Sequence, residues 1–142
     1  MRSISYLPQL LTVFVVSAAV ASQSPWGFPL ERHFVATSLN GQSFGAKSPT
    51  LTVTRDQKQD MLRGAGFAGC NRWMGQVTVG QNQFDVGNLG TTKMFCADRM
   101  AEESNFLAAL KAVKRWRMDG ATLVLEGERT TLLLSPAAPG KP

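Results

Sequence analysis

The sequence predicts a mainly β protein of the α+β class: a small, curved, antiparallel barrel-like sheet with one helix packed across it. Short stretches that alternate polar and apolar residues, separated by glycine-containing turns, fill most of the chain and indicate a meander of strands. Residues 98–115 contain no glycine or proline and place apolar residues at helical spacing. A single helix among such strands excludes a doubly wound parallel sheet, which needs regular alternation of strands and helices.

The beginning of the chain has the features of a signal peptide. Arg2 is the only charge before Glu31, and the apolar run of residues 7–20 is about 14 residues long, shorter than the ~20 of a membrane-spanning helix. The run ends in the small-x-small pattern of residues 19–21, which signal peptidase recognises. We therefore predict cleavage after Ala21 and a periplasmic or secreted protein with no remaining membrane span. An uncleaved signal anchor is the alternative.

The remaining chain divides into a leader, one domain and a tail. Residues 22–30 hold two prolines and a glycine and predict a flexible leader. Residues 31–135 form the domain, and the proline-containing residues 136–142 predict a disordered tail. Within the domain, strands are predicted at residues 31–39, 50–54, 61–64, 76–79, 83–86, 121–126 and 129–134, with residues 42–44 pairing back after the Asn40-Gly41 turn.

The predicted helix has one apolar face and a favourable distribution of charge. Its apolar residues are Met100, Phe106, Leu107, Leu110 and Val113. Acidic residues lie near its start and basic residues near its end, as the helix dipole favours. The acidic residues are Asp98, Glu102 and Glu103, and the basic ones are Lys111, Lys114 and Arg115.

Nucleic-acid binding is not expected from the basic residues. Cations surround Trp116 at Lys114, Arg115 and Arg117, and a basic run with an aromatic side chain can bind nucleic acid. Here the cations follow a helix, where they complement its dipole. Without Arg2 the formal net charge falls from +5 to +4, a moderate excess that mostly affects solubility and weak attraction to anionic surfaces.

The two cysteines leave three interpretations open. An exported chain allows a disulfide between Cys70 and Cys96, which we favour. Two buried free thiols are the second interpretation, and a redox or metal site is the third. Redox pairs usually lie two residues apart, and His33 is the only histidine that could complete a zinc site.

No catalytic constellation is found in the sequence, and we predict neither an enzyme nor a cofactor or metal site. His33 has no nucleophile motif to serve. Gly64, Gly66 and Gly69 have the spacing of a dinucleotide-binding loop, but they open no helix. A pocket for an apolar ligand is a further hypothesis, because aromatic residues can line a cavity in a curved sheet or simply fill its core. These residues are Trp73, Phe84, Phe95, Phe106 and Trp116.

Two motifs resemble those of a known family. Gly69-Cys70-Asn71 with Gly75, followed by Thr92-x-Met94-x-Cys96, is similar to the signature of the META domain, or heat-shock protein HslJ-like family. The resemblance covers residues 32–135, and it implies a small antiparallel barrel-like domain with one helix.

The resemblance also carries expectations about function. Members are typically bacterial envelope proteins connected with heat or antibiotic stress, and no catalytic residue carries over to this chain. We expect an exported, monomeric, non-enzymatic protein that binds an envelope protein or surface; a carrier of a small apolar ligand is the alternative. The signature residues are expected to be structural, with Asn71 satisfying the backbone of a glycine-rich bend.

Overall fold

The structure is a computed structural model that describes Val13 and residues 24–137. The predicted cleavage site after Ala21 and residues 138–142 of the predicted tail lie outside this part of the chain. Within it, no helix is long and apolar enough to span a membrane. The described elements are β1 (Phe34–Leu39), β2 (Gln42–Ser43), β3 (Thr50–Asp56), β4 (Met61–Phe67), β5 (Arg72–Val79), β6 (Phe84–Thr91), α1 (Met100–Ala112), β7 (Arg115–Asp119), β8 (Thr122–Glu126) and β9 (Thr131–Pro136).

The strands form one antiparallel sheet that curls into a half-barrel. Its order is β6-β5-β4-β3-β1-β9-β8-β7, and β2 pairs with β1 outside this path. The two end strands come together only near Gln83 and Arg115, which form an isolated bridge. Beside that bridge, the backbone N–H of Phe84 donates to the carbonyl of Lys114 at 2.9 Å. The predicted fold class, a barrel-like antiparallel sheet with one helix, is confirmed.

The core lies between the concave face of the sheet and the helix. Alternate residues of the strands point inward, as the two-residue period of a strand requires. The helix adds Phe106 and Leu110. Fully buried strand residues are Phe34, Ala36, Leu51, Val53, Trp73, Phe84, Leu123, Val124, Leu125, Leu132 and Leu134.

Glycines in β4 make room for a buried indole. Trp73 on β5 packs so closely against Gly64 that a Cβ there would lie 2.9 Å from its ring. A Cβ on Gly66 would collide with the backbone carbonyl of Thr50. That same carbonyl accepts a hydrogen bond from the Trp73 indole N–H at 2.9 Å. The glycines before Cys70 therefore permit close packing of neighbouring strands, as their clustering in the sequence suggested.

Residues 24–30, which lie in the predicted flexible leader, place Phe28 and Leu30 in the core. Phe28 is 0 % exposed. Its ring stacks on Phe84 at 5.6 Å and meets Trp116 edge-on at 5.1 Å between ring centroids. The Ser24 hydroxyl oxygen accepts the Phe28 N–H at 2.9 Å, which closes the turn containing Gly27. The glycine and prolines thus shape a tight turn that delivers an aromatic side chain to the open end of the half-barrel.

The helix is shorter than predicted, because the chain changes to a strand after it. The backbone of Val113 is extended, with ψ at 141°, and ends the helix. Lys114 then donates its N–H to the carbonyl of Glu126 at 2.8 Å, and Arg115 begins β7. Pairing with β8 therefore overrides the helical spacing of the last predicted residues.

Candidate functional site

A disulfide joins the two cysteine motifs. Cys70 and Cys96 are bonded, with their Cα atoms 5.8 Å apart. The disulfide prediction is confirmed. Cys70 lies just before β5, and Cys96 lies in the loop between β6 and the helix. The bond therefore ties this loop to the beginning of the β5–β6 hairpin.

The side chain of Asn71 holds the same loop by hydrogen bonds. Its Oδ1 atom accepts the backbone N–H of Met94 at 2.6 Å and the hydroxyl of Thr92 at 2.9 Å. Its Nδ2 atom donates to the carbonyl of Met94 at 3.0 Å and to Oε2 of Glu103 at 2.9 Å. Every donor and acceptor of the amide group thus has a partner. Asn71 satisfies the backbone, as predicted, but across the loop of Met94 rather than within its own bend.

Glu103 completes this network from the helix. Its carboxylate is 4 % exposed, and Oε1 accepts the backbone N–H groups of Cys70 at 3.2 Å and Asn71 at 2.5 Å. Gly69 has a φ of +128° and lies directly on the helix, with a Cβ there only 3.4 Å from that of Glu103. The positive φ therefore favours glycine at this position, where the chain passes in van der Waals contact with the helix.

The hydrogen bonds keep the buried carboxylate charged. Burial alone raises the pKa of Glu103, because a low-dielectric environment disfavours the ion. The side-chain N–H of Asn71 and the backbone N–H groups of Asn71 and Cys70 stabilise the ion. These donors outweigh burial, so the pKa of Glu103 lies below its ordinary value.

Glu103 is a site residue that the sequence interpretation missed. It was assigned only to the acidic end of the helix, as a complement to the dipole. A signal was present, because Glu103 lies three residues before Phe106 and seven before Leu110, on the apolar face of the helix. A carboxylate on a buried face needs donors, and the Gly69-Cys70-Asn71 turn supplies them.

The loop between β6 and the helix, held by Asn71 and the disulfide, projects two large apolar side chains. We call these two residues, Met94 and Phe95, the apolar tip. Met94 is 61 % exposed and Phe95 is 80 % exposed. The backbone of Met94 is held through both its N–H and its carbonyl, and the disulfide follows directly after Phe95. The local network therefore fixes a loop whose two apolar side chains point away from the core.

Comparison with known families agrees with the two motifs. The sequence model of the META domain matches residues 29–139. This chain belongs to the META domain family. Among solved structures, it is similar to a protein from Burkholderia xenovorans, with a TM-score of 0.63 and 20 % identity over 92 % of this chain and 99 % of that one. A second NMR structure has a TM-score of 0.54 and 24 % identity over 73 % of this chain and 87 % of that one. No curated protein matches significantly.

The remaining signature residues of the META domain also have structural partners. Thr92 accepts the backbone N–H of Arg72 at 3.1 Å while it donates to Asn71. Gly75 lies where the register of β5 and β6 shifts, and a Cβ there would be 2.9 Å from Val86. The signature thus describes one anchored loop and the strand irregularity beside it.

The five aromatic residues predicted to line a pocket do not share one. Trp73, Phe84 and Phe106 are fully buried and fill the interior. The rings of Trp73 and Phe106 meet edge-on, with 6.3 Å between their centroids. Trp116 packs on the core at the end occupied by Phe28 and Phe84, and Phe95 lies outside the core. The interior of this META domain is packed with side chains, so the apolar-carrier hypothesis loses the observation that motivated it.

The basic cluster around Trp116 does not present an aromatic face for stacking. The indole N–H of Trp116 donates to the carbonyl of Gly80 at 3.0 Å, and its ring contacts Phe28. Lys114 pairs with Asp85 at 2.6 Å and Arg117 pairs with Glu126 at 2.7 Å. These contacts are those of a solvated protein surface.

His33 lies on the outer face of the sheet. Its Nδ1 atom is 2.7 Å from the hydroxyl of Thr52, and both residues line an open groove of about 1080 Å³ that extends to Arg72. Over residues 24–137, no three His, Cys, Asp or Glu side chains come together as metal ligands.

Proposed function

We propose that this META-domain protein is an exported, non-enzymatic envelope protein that supports heat or antibiotic stress tolerance by binding a protein or surface. The observation that carries the proposal is the apolar tip. An exposed Phe95 contributes little to the hydrophobic core, yet a disulfide and the hydrogen bonds of Asn71 hold its loop in place. Rigid presentation of an apolar group lowers the entropy lost on binding, which favours a recognition role.

The environment of the polar residues supports a non-enzymatic role. The side chains of Asn71 and Glu103, which lie together beside the apolar tip, are both occupied by hydrogen bonds. Glu103 is also buried, with its pKa lowered, so it is a poor proton acceptor at neutral pH. These groups maintain the loop and leave recognition to the apolar tip.

Export is supported by the predicted signal peptide and by the disulfide. Disulfides persist in oxidising compartments such as the periplasm. We expect the mature protein from the envelope fraction to begin at Ser22, which intact-mass measurement checks. A mass that includes the first 21 residues would contradict export by cleavage.

In-cell crosslinking tests the role of the tip. Wild type and Phe95→Ser are expressed at equal levels in cells that lack the native gene, crosslinked, and analysed by mass spectrometry. We expect wild type to capture a reproducible envelope component and Phe95→Ser to lose it, together with stress tolerance. Trp26→Ser is the matched control, because Trp26 is 52 % exposed but belongs to the turn at the opposite end of β6. Capture and tolerance that survive in Phe95→Ser would contradict the proposal.

A further inference from the structure

Basic residues lie next to the apolar tip along the chain and on the strand that its loop contacts. Lys93 precedes it, and Arg72 lies beside it, because the N–H of Thr92 donates to the Arg72 carbonyl at 3.0 Å. Arg99 follows the disulfide and donates its N–H to the carbonyl of Cys96 at 3.0 Å. Lys47 lines the same groove as Arg72.

Acidic residues at this end of the molecule are fewer. Asp98 is exposed in the loop, and Glu102 lies in the first turn of the helix, where it accepts the N–H of Gly45 at 3.4 Å. Glu103 is buried and saturated by its donors. The charged residues near the tip therefore include more basic than acidic ones. The whole chain also has an excess of basic residues, with a formal net charge of +5.

We propose that the apolar tip inserts into the interface of an anionic phospholipid bilayer, with the neighbouring basic residues on the lipid phosphates. This inference rests on the proposed function and names the surface that the tip binds. Aromatic and other apolar side chains partition into the boundary between headgroups and acyl chains, and nearby lysines and arginines add attraction to anionic lipids. The tip combines both features on one loop.

The shape of the tip favours a bilayer over a protein partner. A side chain that is 80 % exposed, as Phe95 is, projects from the surface and has few neighbours. A stable protein interface usually buries about 800 Å² on each side and excludes charge from its centre. Two projecting residues with basic neighbours along the chain match this description poorly. A bilayer needs no complementary pocket, so a small projecting group is sufficient.

The rigidity of the loop matters for insertion. The carbonyl and N–H of Met94 are both held by Asn71. Because these backbone groups already have partners, bringing the loop to the edge of the hydrocarbon region does not strip water from unsatisfied polar groups. The disulfide of Cys96 also limits the movement of the segment next to Phe95.

Vesicle sedimentation of the mature chain tests the inference. The probes are vesicles of equal parts phosphatidylglycerol and phosphatidylcholine, and vesicles of phosphatidylcholine alone. We expect binding to the anionic vesicles that weakens at high salt. Phe95→Ser is expected to weaken it about tenfold through lost apolar burial, and Lys93→Gln about fivefold through lost attraction. Trp26→Ser is the control and is expected to bind like wild type.

The outcomes separate this inference from the proposed function. Equal binding to neutral and anionic vesicles, or none to either, overturns the lipid inference. If the Phe95-dependent crosslink to an envelope protein persists in that case, the tip still binds and the proposed function stands. If neither the vesicles nor the crosslinks depend on Phe95, both proposals fall. An unchanged melting temperature of Phe95→Ser verifies that the variant folds.

Discussion

At the scale of single residues, a buried carboxylate is tolerated only when donors match its charge. Glu103 receives two backbone N–H groups and one amide N–H, all from the Cys70-Asn71 segment. Asn71 in turn holds Thr92 and Met94. The buried members, Asn71 and Glu103, are fully satisfied, so removal of either side chain leaves polar groups of the other without a partner.

Glu103→Gln is expected to lower the free energy of unfolding at pH 7 by about 2–3 kcal/mol, because it removes hydrogen bonds to a charged group. The folded-state pKa of Glu103 is lowered, so the unfolded chain takes up the proton first as the pH falls. The stabilisation is therefore complete above the unfolded pKa of about 4.3 and is lost as the pH falls through the folded pKa.

Urea unfolding of both proteins across this pH range measures the effect. The difference between wild type and Glu103→Gln should be largest at neutral pH and should narrow on acidification. Glu102→Gln is the matched control, with an expected change within about 0.5 kcal/mol. A difference that widens towards low pH would show that the charged form is not the stabilising one.

Asn71→Ala is expected to cost about 2–4 kcal/mol, since it removes the amide N–H that Oε2 of the buried Glu103 accepts and both hydrogen bonds to the backbone of Met94. Thermal unfolding measures the loss. Asn105→Ala on the exposed face of the helix is the control and should change stability little. A fully stable Asn71→Ala that loses stress tolerance would instead assign Asn71 a direct role in binding.

At the scale of elements, the disulfide connects the beginning of the β5–β6 hairpin to the loop before the helix. Cys70 and Cys96 are separated by 26 positions, which include the whole of β5 and β6. Closing such a loop in the unfolded chain corresponds to roughly 3–4 kcal/mol of stabilisation in the entropic description. The bond and the network of Asn71 act on the same loop, so they are coupled.

Replacing both Cys70 and Cys96 by serine should lower the melting temperature without abolishing the fold, because the core does not depend on the bond. Calorimetry of the variant and of reduced wild type should give matching values. The exposed loop of Phe95 should also become more accessible to protease. A variant as stable as oxidised wild type would contradict a stabilising bond.

The sequence predicted correctly those elements that depend only on the residues within them. The Asn40-Gly41 turn is present, and both residues have positive φ, at 50° and 84°. The end of the helix was misplaced at Arg115, because pairing between β7 and β8 is a tertiary contact that helical spacing does not encode. Glu103 was missed as a site residue for a related reason: its donors come from a segment more than 30 positions away.

At the scale of the whole molecule, the half-barrel is completed by a segment outside the sheet. Phe28 fills the end where β6 and β7 approach each other, against Phe84 and Trp116. The prolines and glycine around it suggested a loose leader, and composition alone could not reveal that one aromatic residue has a place in the core. The burial of Phe28 depends on strands far along the chain.

Phe28→Ala is therefore expected to cost about 3–5 kcal/mol, as for other fully buried phenylalanines. Chemical denaturation compares it with Trp26→Ala, in which a half-exposed ring two positions away is removed. That control should change the free energy of unfolding by no more than about 0.5 kcal/mol. Similar losses in both variants would mean that the turn itself, rather than the buried ring, stabilises this end.

The position of β1 between β3 and β9 has a consequence for the order of events in folding. The hydroxyl of Thr37 donates to the carbonyl of Leu133, 96 positions further along the chain. β1 is the first long strand to be synthesised, and it can pair with β9 only after the last strand of the chain is available. Pairing over such distances is slow compared with local contacts. On the proposed export route, we expect the chain to stay unfolded until its C-terminal strand has passed through the translocation channel.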